Sequence, residues 1–226
     1  MPIPLHRAVV PALFAAGALL TNAAFAANTS PDGGVPGVTK YDTRAEFNAA
    51  APGLPCEDFS GPTVTTLTAF DAPLNSTTNN ALYHPGDIIA GFTLRDNPLN
   101  GDTPGLGFMP IGYGQFGTTN PVIYINVYGD AAELVFSPPA TGIGFNLHNF
   151  PTDFSTDDVV LYNLRGDSFG TAIAEGNNAG TFFGFTSTTP VARIFIRSTI
   201  TQAEGFSVLC FGDGFNGDLI FAGSFD

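Results

Sequence analysis

The chain has 226 residues, a formal charge of −13 and only 12% charged residues, against 27 Gly, 18 Pro and 22 Phe. So acidic a surface repels polyanions, which excludes nucleic acid and anionic lipid as partners and leaves divalent cations admissible. The aromatic content excludes intrinsic disorder, and frequent Gly and Pro favour short strands joined by turns.

At the N-terminus, His6 and Arg7 precede a small and apolar run over 9–20, and Ala24-Phe25-Ala26 presents alanines where a signal peptidase cuts. Residues 1–26 therefore read as a cleavable signal peptide. The run is shorter than the ~20 residues of a spanning helix, and no later run matches it. The expected mature chain starts at Ala27, has no membrane span, carries a charge of −14 once Arg7 is removed, and is secreted or associated with the cell surface.

A flexible leader, residues 27–39, comes first, and a β-sandwich domain is expected over 40–211. Its opening segment carries a capping box, Thr43 with Glu46, and Phe47, Ala50 and Ala51 share one helical face before Pro52-Gly53 stops the turn. One short helix is predicted there. Strands are predicted over 64–70, 88–94, 122–127, 133–136, 142–148, 158–164, 170–174, 181–185, 191–197 and 205–211. Ile143, Phe145 and Leu147 should point inward, with Asn146 and His148 outward. In the ninth strand Ala192, Ile194 and Ile196 should share one face and Arg193 and Arg197 the other. With no helical run between them, these strands predict an all-β fold, an antiparallel jelly-roll-like sandwich with one short N-terminal helix. Cys56 and Cys210 are the only cysteines. An oxidising export route favours a disulfide joining an early strand to a late one, with two buried thiols as the alternative.

Candidate chemistry is sparse. DNPLNGD at 96–102 and DGFNGD at 213–218 set oxygen-bearing side chains beside Gly, as calcium loops do, without the full twelve-residue pattern. Asp96, Asn100 and Asp102 are the first choice for calcium; the competing reading, which we favour, is that such clusters form turns. Tyr83, Tyr113 and Tyr128 are candidate sugar-stacking rings, with His84 and Asp87 as hydrogen-bonding neighbours; the alternative packs these rings at strand ends. GDSFG at 166–170 matches the G-x-S-x-G nucleophile elbow in letters, but a hairpin turn fits better because no helical face follows Ser168. Both later histidines, His84 and His148, precede it. Glu57-Asp58 and Asp157-Asp158 are adjacent carboxylates that a strand would point to opposite faces, so neither pair serves glycosidic chemistry alone. No His/Cys cluster has zinc spacing.

Several segments are familiar. LVFSPPATGIGFNL at 134–147, DDVVLYNLRGDSFGTA at 157–172, GTFFGFTSTTPVARIFI at 180–196 and CEDFSG at 56–61 resemble the ectodomains of Gram-negative surface proteins of the PEP-CTERM type. That resemblance implies a galactose-binding-like sandwich on an exported, surface-associated protein. The chain departs from it in closing with FSVLCF at 206–211 and in lacking the Pro-Glu-Pro sorting tail. In the tail's place FNGDLIFAGSFD at 215–226 resembles a short terminal motif, "I-F-A-x-G-F-E", of other exported Gram-negative proteins. Residues 212–226 are therefore expected to be a sorting or secretion signal, or else an edge strand.

The expected function is non-enzymatic surface or extracellular association, with weak binding of a glycan or matrix polymer. The alternatives are a secreted polysaccharide-directed hydrolase and a purely structural surface component.

Overall fold

The computed structural model describes residues 34–62, 67–70, 73–97, 105–109, 116, 118–125, 130–150, 155–198 and 203–214. The signal segment, most of the leader and the tail beyond Gly214 lie outside them. In chain order the elements are β1 (Val38–Tyr41), α1 (Arg44–Ala50), β2 (Cys56–Glu57), β3 (Thr68–Phe70), β4 (Leu74–Asn75), β5 (Phe92–Asn97) and β6 (Leu106–Met109). There follow β7 (Val122–Ile125), β8 (Ala131–Phe150), β9 (Ser155–Tyr162), β10 (Ser168–Gly176), β11 (Thr181–Ser198) and β12 (Ala203–Gly212). Every strand pair is antiparallel.

Two strands are far longer than their sequence suggests. The segments expected over 133–136 and 142–148 are one 20-residue strand, β8, and those over 181–185 and 191–197 are one 18-residue strand, β11. Each is interrupted by proline, at Pro138 and Pro139 in β8 and at Pro190 in β11. Proline has no N–H to give a ladder, and the β8–β11 register shifts there, between Thr186 and Val191 and again before Arg193.

Each long strand thus has two arms. The early arm of β8 and the late arm of β11 lie side by side in one layer, ordered β4-β5-β8-β11-β9-β10. The late arm of β8 and the early arm of β11 lie in a second layer, ordered β1-β11-β8-β12-β7-β6-β3, with β2 on the end of β12. The inner faces meet in one core. Leu94, Leu134, Val159, Leu161, Ile194 and Ile196 come from the first layer, and Ile123, Ile143, Phe145, Leu147, Phe183 and Phe206 from the second. Phe145 packs on Phe183 and Phe206 at centroid distances of 5.5 and 5.6 Å, within the range of favourable ring contacts. The fold is the antiparallel β-sandwich that the strand pattern predicts.

Three details differ from expectation. His148 is buried, not outward, because at the end of β8 the ring of Phe116 covers it at 5.7 Å and Ser207 Oγ meets its Nε2 at 2.8 Å. Val191, not Ala192, enters the core beside Ile194, since the register shift at Val191 resets the alternation. The strand expected over 88–94 begins only at Phe92: Gly91 has φ +108 and its Cα faces the Phe211 ring, so a side chain there would be both strained and obstructed.

The helix forms where its capping box lies. Thr43 Oγ1 accepts from Glu46 N at 3.2 Å and pairs with Glu46 Oε2 at 2.8 Å. Phe47 and Ala51 are buried against the outer face of the second layer, whereas Ala50 is exposed. Gly144 and Gly184, directly paired across β8 and β11, make room for the Phe47 ring; a Cβ on Gly144 would lie 2.9 Å from it.

Under the same helix Cys56 of β2 and Cys210 of β12 form the expected disulfide, 154 residues apart in sequence. Arg44 covers it, donating to Cys210 Sγ at 3.0 Å and to the carbonyl of Val208 at 2.9 Å, while its guanidinium lies 4.6 Å over the Phe182 ring. Closing so long a loop restricts the unfolded chain by roughly 5 kcal/mol as an upper figure. The non-reduced protein should weigh two protons less than the reduced one, and replacing both cysteines by Ser should lower the melting temperature by many degrees. Equal melting of the two proteins would show that the crosslink adds nothing.

Candidate functional site

A concavity lies at the corner where β8 and β11 pass between layers. It is a cleft of about 860 Å³ lined by Pro55, Pro138, Pro139, Pro190 and Phe211, together with Ala90, Gly91, Gly212, Thr141, Thr188 and Asp213. The volume is that of a small-ligand site. The prolines that interrupt the ladders leave no amide hydrogens to satisfy, so the corner offers an apolar wall with few polar groups.

Both rims of the cleft are held by hydrogen bonds. Glu57 is buried, and its carboxylate accepts from Phe59 N at 2.6 Å and Ile89 N at 2.9 Å. It thereby fixes Phe59 at φ 58 and the 88–91 bend that leads into the cleft. Burial pushes the Glu57 carboxyl above its usual range. On the other rim Thr141 Oγ1 donates to Asp213 Oδ1 at 2.9 Å and accepts from Gly214 N at 2.8 Å, tying the end of β12 to the middle of β8.

The sequence-predicted ligand residues are not gathered here. Tyr83 is fully buried between the rings of Phe70 and Phe108, at 6.3 and 5.8 Å, so neither face is open to a sugar. Asn80 draws it in by accepting from Leu82 N and Tyr83 N. His84 and Asp87 are exposed, but Asp87 Oδ2 accepts from His84 N at 2.7 Å, the bond of a turn. Tyr113, Tyr128, Asn100 and Asp102 lie outside the described residues. Asp96 is buried and its Oδ2 accepts from Gly105 N at 2.7 Å.

GDSFG is a hairpin. Asn163 and Asp167 close it with a backbone bond of 3.0 Å, Gly166 takes φ 83, and Ser168 opens β10 with no helix after it. The nucleophile elbow's strand-turn-helix geometry is therefore not met.

The cations are engaged within the fold. Glu133, buried on β8, bridges Arg95 and Arg193, the latter at 2.7 Å, and Arg193 lies 3.8 Å over the Tyr162 ring. Arg197 pairs with Asp158, Arg165 with Asp167 and Lys40 with Asp42. No cluster of free positive charge faces solvent among the described residues.

At the end of the sandwich away from the proline corner, acidic groups replace apolar ones. Burial, with the neighbouring Asp157 carboxylate, pushes Glu204 up to about 8, and burial, with Asp130, pushes Asp96 up to about 6. Burial pulls His148 down to about 4. Nothing in the sequence marked Glu204 beyond an acid at the start of an apolar strand. The folded protein holds the Glu204 and Asp96 protons more tightly than the unfolded chain, so their contribution is complete at low pH and is lost as pH rises to about 6 and then about 8. The His148 contribution runs the other way, present above 6.5 and lost as pH falls towards 4. In metal-free buffer the melting temperature should therefore fall between pH 6.5 and pH 8.5, and Glu204→Gln should flatten that fall. A wild-type melting temperature that holds or climbs over this window would contradict the burial of these acids.

No protein-family model matches the chain, and no curated protein matches it. Among solved structures it is similar to a CBM29-2 variant, a family 29 carbohydrate-binding module, at 12% identity over 42% of this chain and 75% of that one, with a TM-score of 0.33. A CBM29-2 variant complexed with mannohexaose aligns at 11% identity over 41% and 72%, with a TM-score of 0.33. The enzymatically active domain of tailspike protein 4 of bacteriophage CBA120 aligns at 11% identity over 72% of this chain and 19% of that one, with a TM-score of 0.27. At these identities no residue role passes from those proteins to this chain.

Proposed function

We propose that the chain is an exported, non-enzymatic β-sandwich that acts in surface or extracellular association and holds a glycan or matrix polymer in the proline-lined cleft. Export rests on the signal-like residues 1–26. The observation that carries the binding role is the lining of the cleft: four prolines and Phe211 beside Thr141, Thr188 and Asp213. Pyranose rings present apolar C–H faces edged by hydroxyls, and such a wall with a few hydroxyl and carboxylate partners complements both. Asp213 is the single ionisable group among the described residues of that lining. Glycosidic hydrolysis needs two carboxyl groups across the bond, and nucleophilic catalysis needs a paired base, so the lining supports binding over turnover.

The test uses the purified protein with mannohexaose, cellulohexaose and a panel of soluble bacterial polysaccharides, read by calorimetry and affinity electrophoresis. Ala90 is exposed and lines the cleft, so Ala90→Trp should fill it without touching the core. Saturable binding that weakens about tenfold or more in Ala90→Trp, with an unchanged melting temperature, is the expected result. Binding that ignores this substitution would move the site elsewhere. Turnover of a glycan or ester that disappears in Ser168→Ala would replace the binding role with a hydrolytic one. Silence across the panel, together with self-association, would favour a structural surface component.

A further inference from the structure

Glu204 near the start of β12 pairs directly across to Asn149 near the end of β8, and Ser198 at the end of β11 pairs across to Asp157 of β9. Cross-strand partners share a face, and here it is an inner one: Glu204, Asn149 and Asp157 are all fully buried. Hydrogen bonds knit them together. Glu204 Oε1 accepts from Ser198 N at 2.8 Å, and Asn149 Nδ2 donates to Asp157 Oδ2 at 2.8 Å and to Ser155 Oγ.

That knitting leaves acceptors over. Glu204 Oε2 and Asn149 Oδ1 are buried with no hydrogen-bond partner among the described residues, as is Asp96 Oδ1 nearby. Among the described residues, Asp157 and Asp96 raise the Glu204 carboxyl and Asp130 raises that of Asp96, and each of these neighbours is a carboxylate. Lone buried acceptors cost free energy, and buried unbalanced negative charge costs more. A water molecule can donate to such oxygens but cannot balance their charge. A hard cation does both, and calcium accepts six to eight oxygen ligands in irregular geometry, where magnesium demands a near-ideal octahedron.

We propose that Glu204, Asp157 and Asn149 form a calcium site at this end of the sandwich. Glu204 Oε2 and the Asn149 amide oxygen are the two unpartnered ligands, Asp157 brings the second carboxylate, and Asp96 and Asp130 add negative potential around them. Among the described residues no three His, Cys, Asp or Glu side chains could hold a metal by themselves. The site accordingly consists of two carboxylates and an amide, with water completing the shell. It is distinct from the loop set of Asp96, Asn100 and Asp102 that the sequence suggests, since its ligands come from paired strands. Ligands buried this deeply couple the ion to folding.

The experiment treats the purified protein with EDTA, removes the chelator and titrates calcium chloride at pH 7.5, with melting curves in parallel. The expected result is one calcium bound per chain and a melting temperature several degrees higher in calcium than in EDTA. Glu204→Gln keeps the shape and removes the charge; it should weaken calcium binding by about tenfold or more and melt higher than wild type in EDTA. Asn149→Asp adds a carboxylate, so it should melt lower in EDTA and gain more from calcium. No calcium heat and identical melting in calcium and EDTA would overturn the site, with protonation then neutralising the acids. Equal calcium responses in wild type and both variants would also overturn it, by placing the ion on exposed acids. None of these readouts involves glycan binding, so this proposal and the cleft's function fail independently.

Discussion

A proline cannot donate to a neighbouring strand, and in this chain Pro138, Pro139 and Pro190 stand side by side in the two longest strands. The loss of ladder bonds there lets β8 and β11 leave one layer and enter the other while staying partners on both sides of the break. The remaining strands then attach to one arm or the other. The core, the cleft at the corner and the acidic end all owe their positions to that interruption. The corner is apolar because prolines make it, and the far end is where the arms terminate and their polar residues meet.

Much of this was legible in the sequence. Alternation in segments such as 142–148 and 191–197 located strands and most of their buried faces, and the capping box located the helix to within a residue. The only cysteine pair became the expected disulfide. What the sequence could not display was continuity through proline. Ser137-Pro138-Pro139 and Thr189-Pro190 carry the composition of chain turns, and they are turns of a kind, but the same strand resumes beyond them. Tyr83 was misplaced for a related reason: Asn80 and its neighbours form a loop that folds inward and buries the ring, although the local residues look solvent-facing.

The candidate sites were harder still. The cleft draws its wall from prolines at 55, 138–139 and 190, three places in the chain that only the fold brings together. Glu204 and Asn149 likewise lie 55 positions apart and meet only through the β8–β12 register. Motif reading favoured contiguous clusters, such as the Asp96 segment and GDSFG, and GDSFG is a hairpin turn. A lone acid in an apolar strand is a weaker textual mark, yet Glu204 Oε2 is buried with no hydrogen-bond partner among the described residues.

The paired passage of β8 and β11 also ties the two layers into a single register. Side chains along a strand alternate with a period of two, so a one-residue slip reverses which of them face inward. In a sandwich made of separate sheets such a slip would stay in one sheet. Here the spacers between the arms, residues 137–140 in β8 and 187–190 in β11, transmit it. A deletion in either spacer would leave both arms intact as strands but set their inner faces out of phase, opposing Phe145 and Leu134 to solvent-facing positions of their partners. The length of the corner is therefore as much a determinant of the core as the apolar residues themselves.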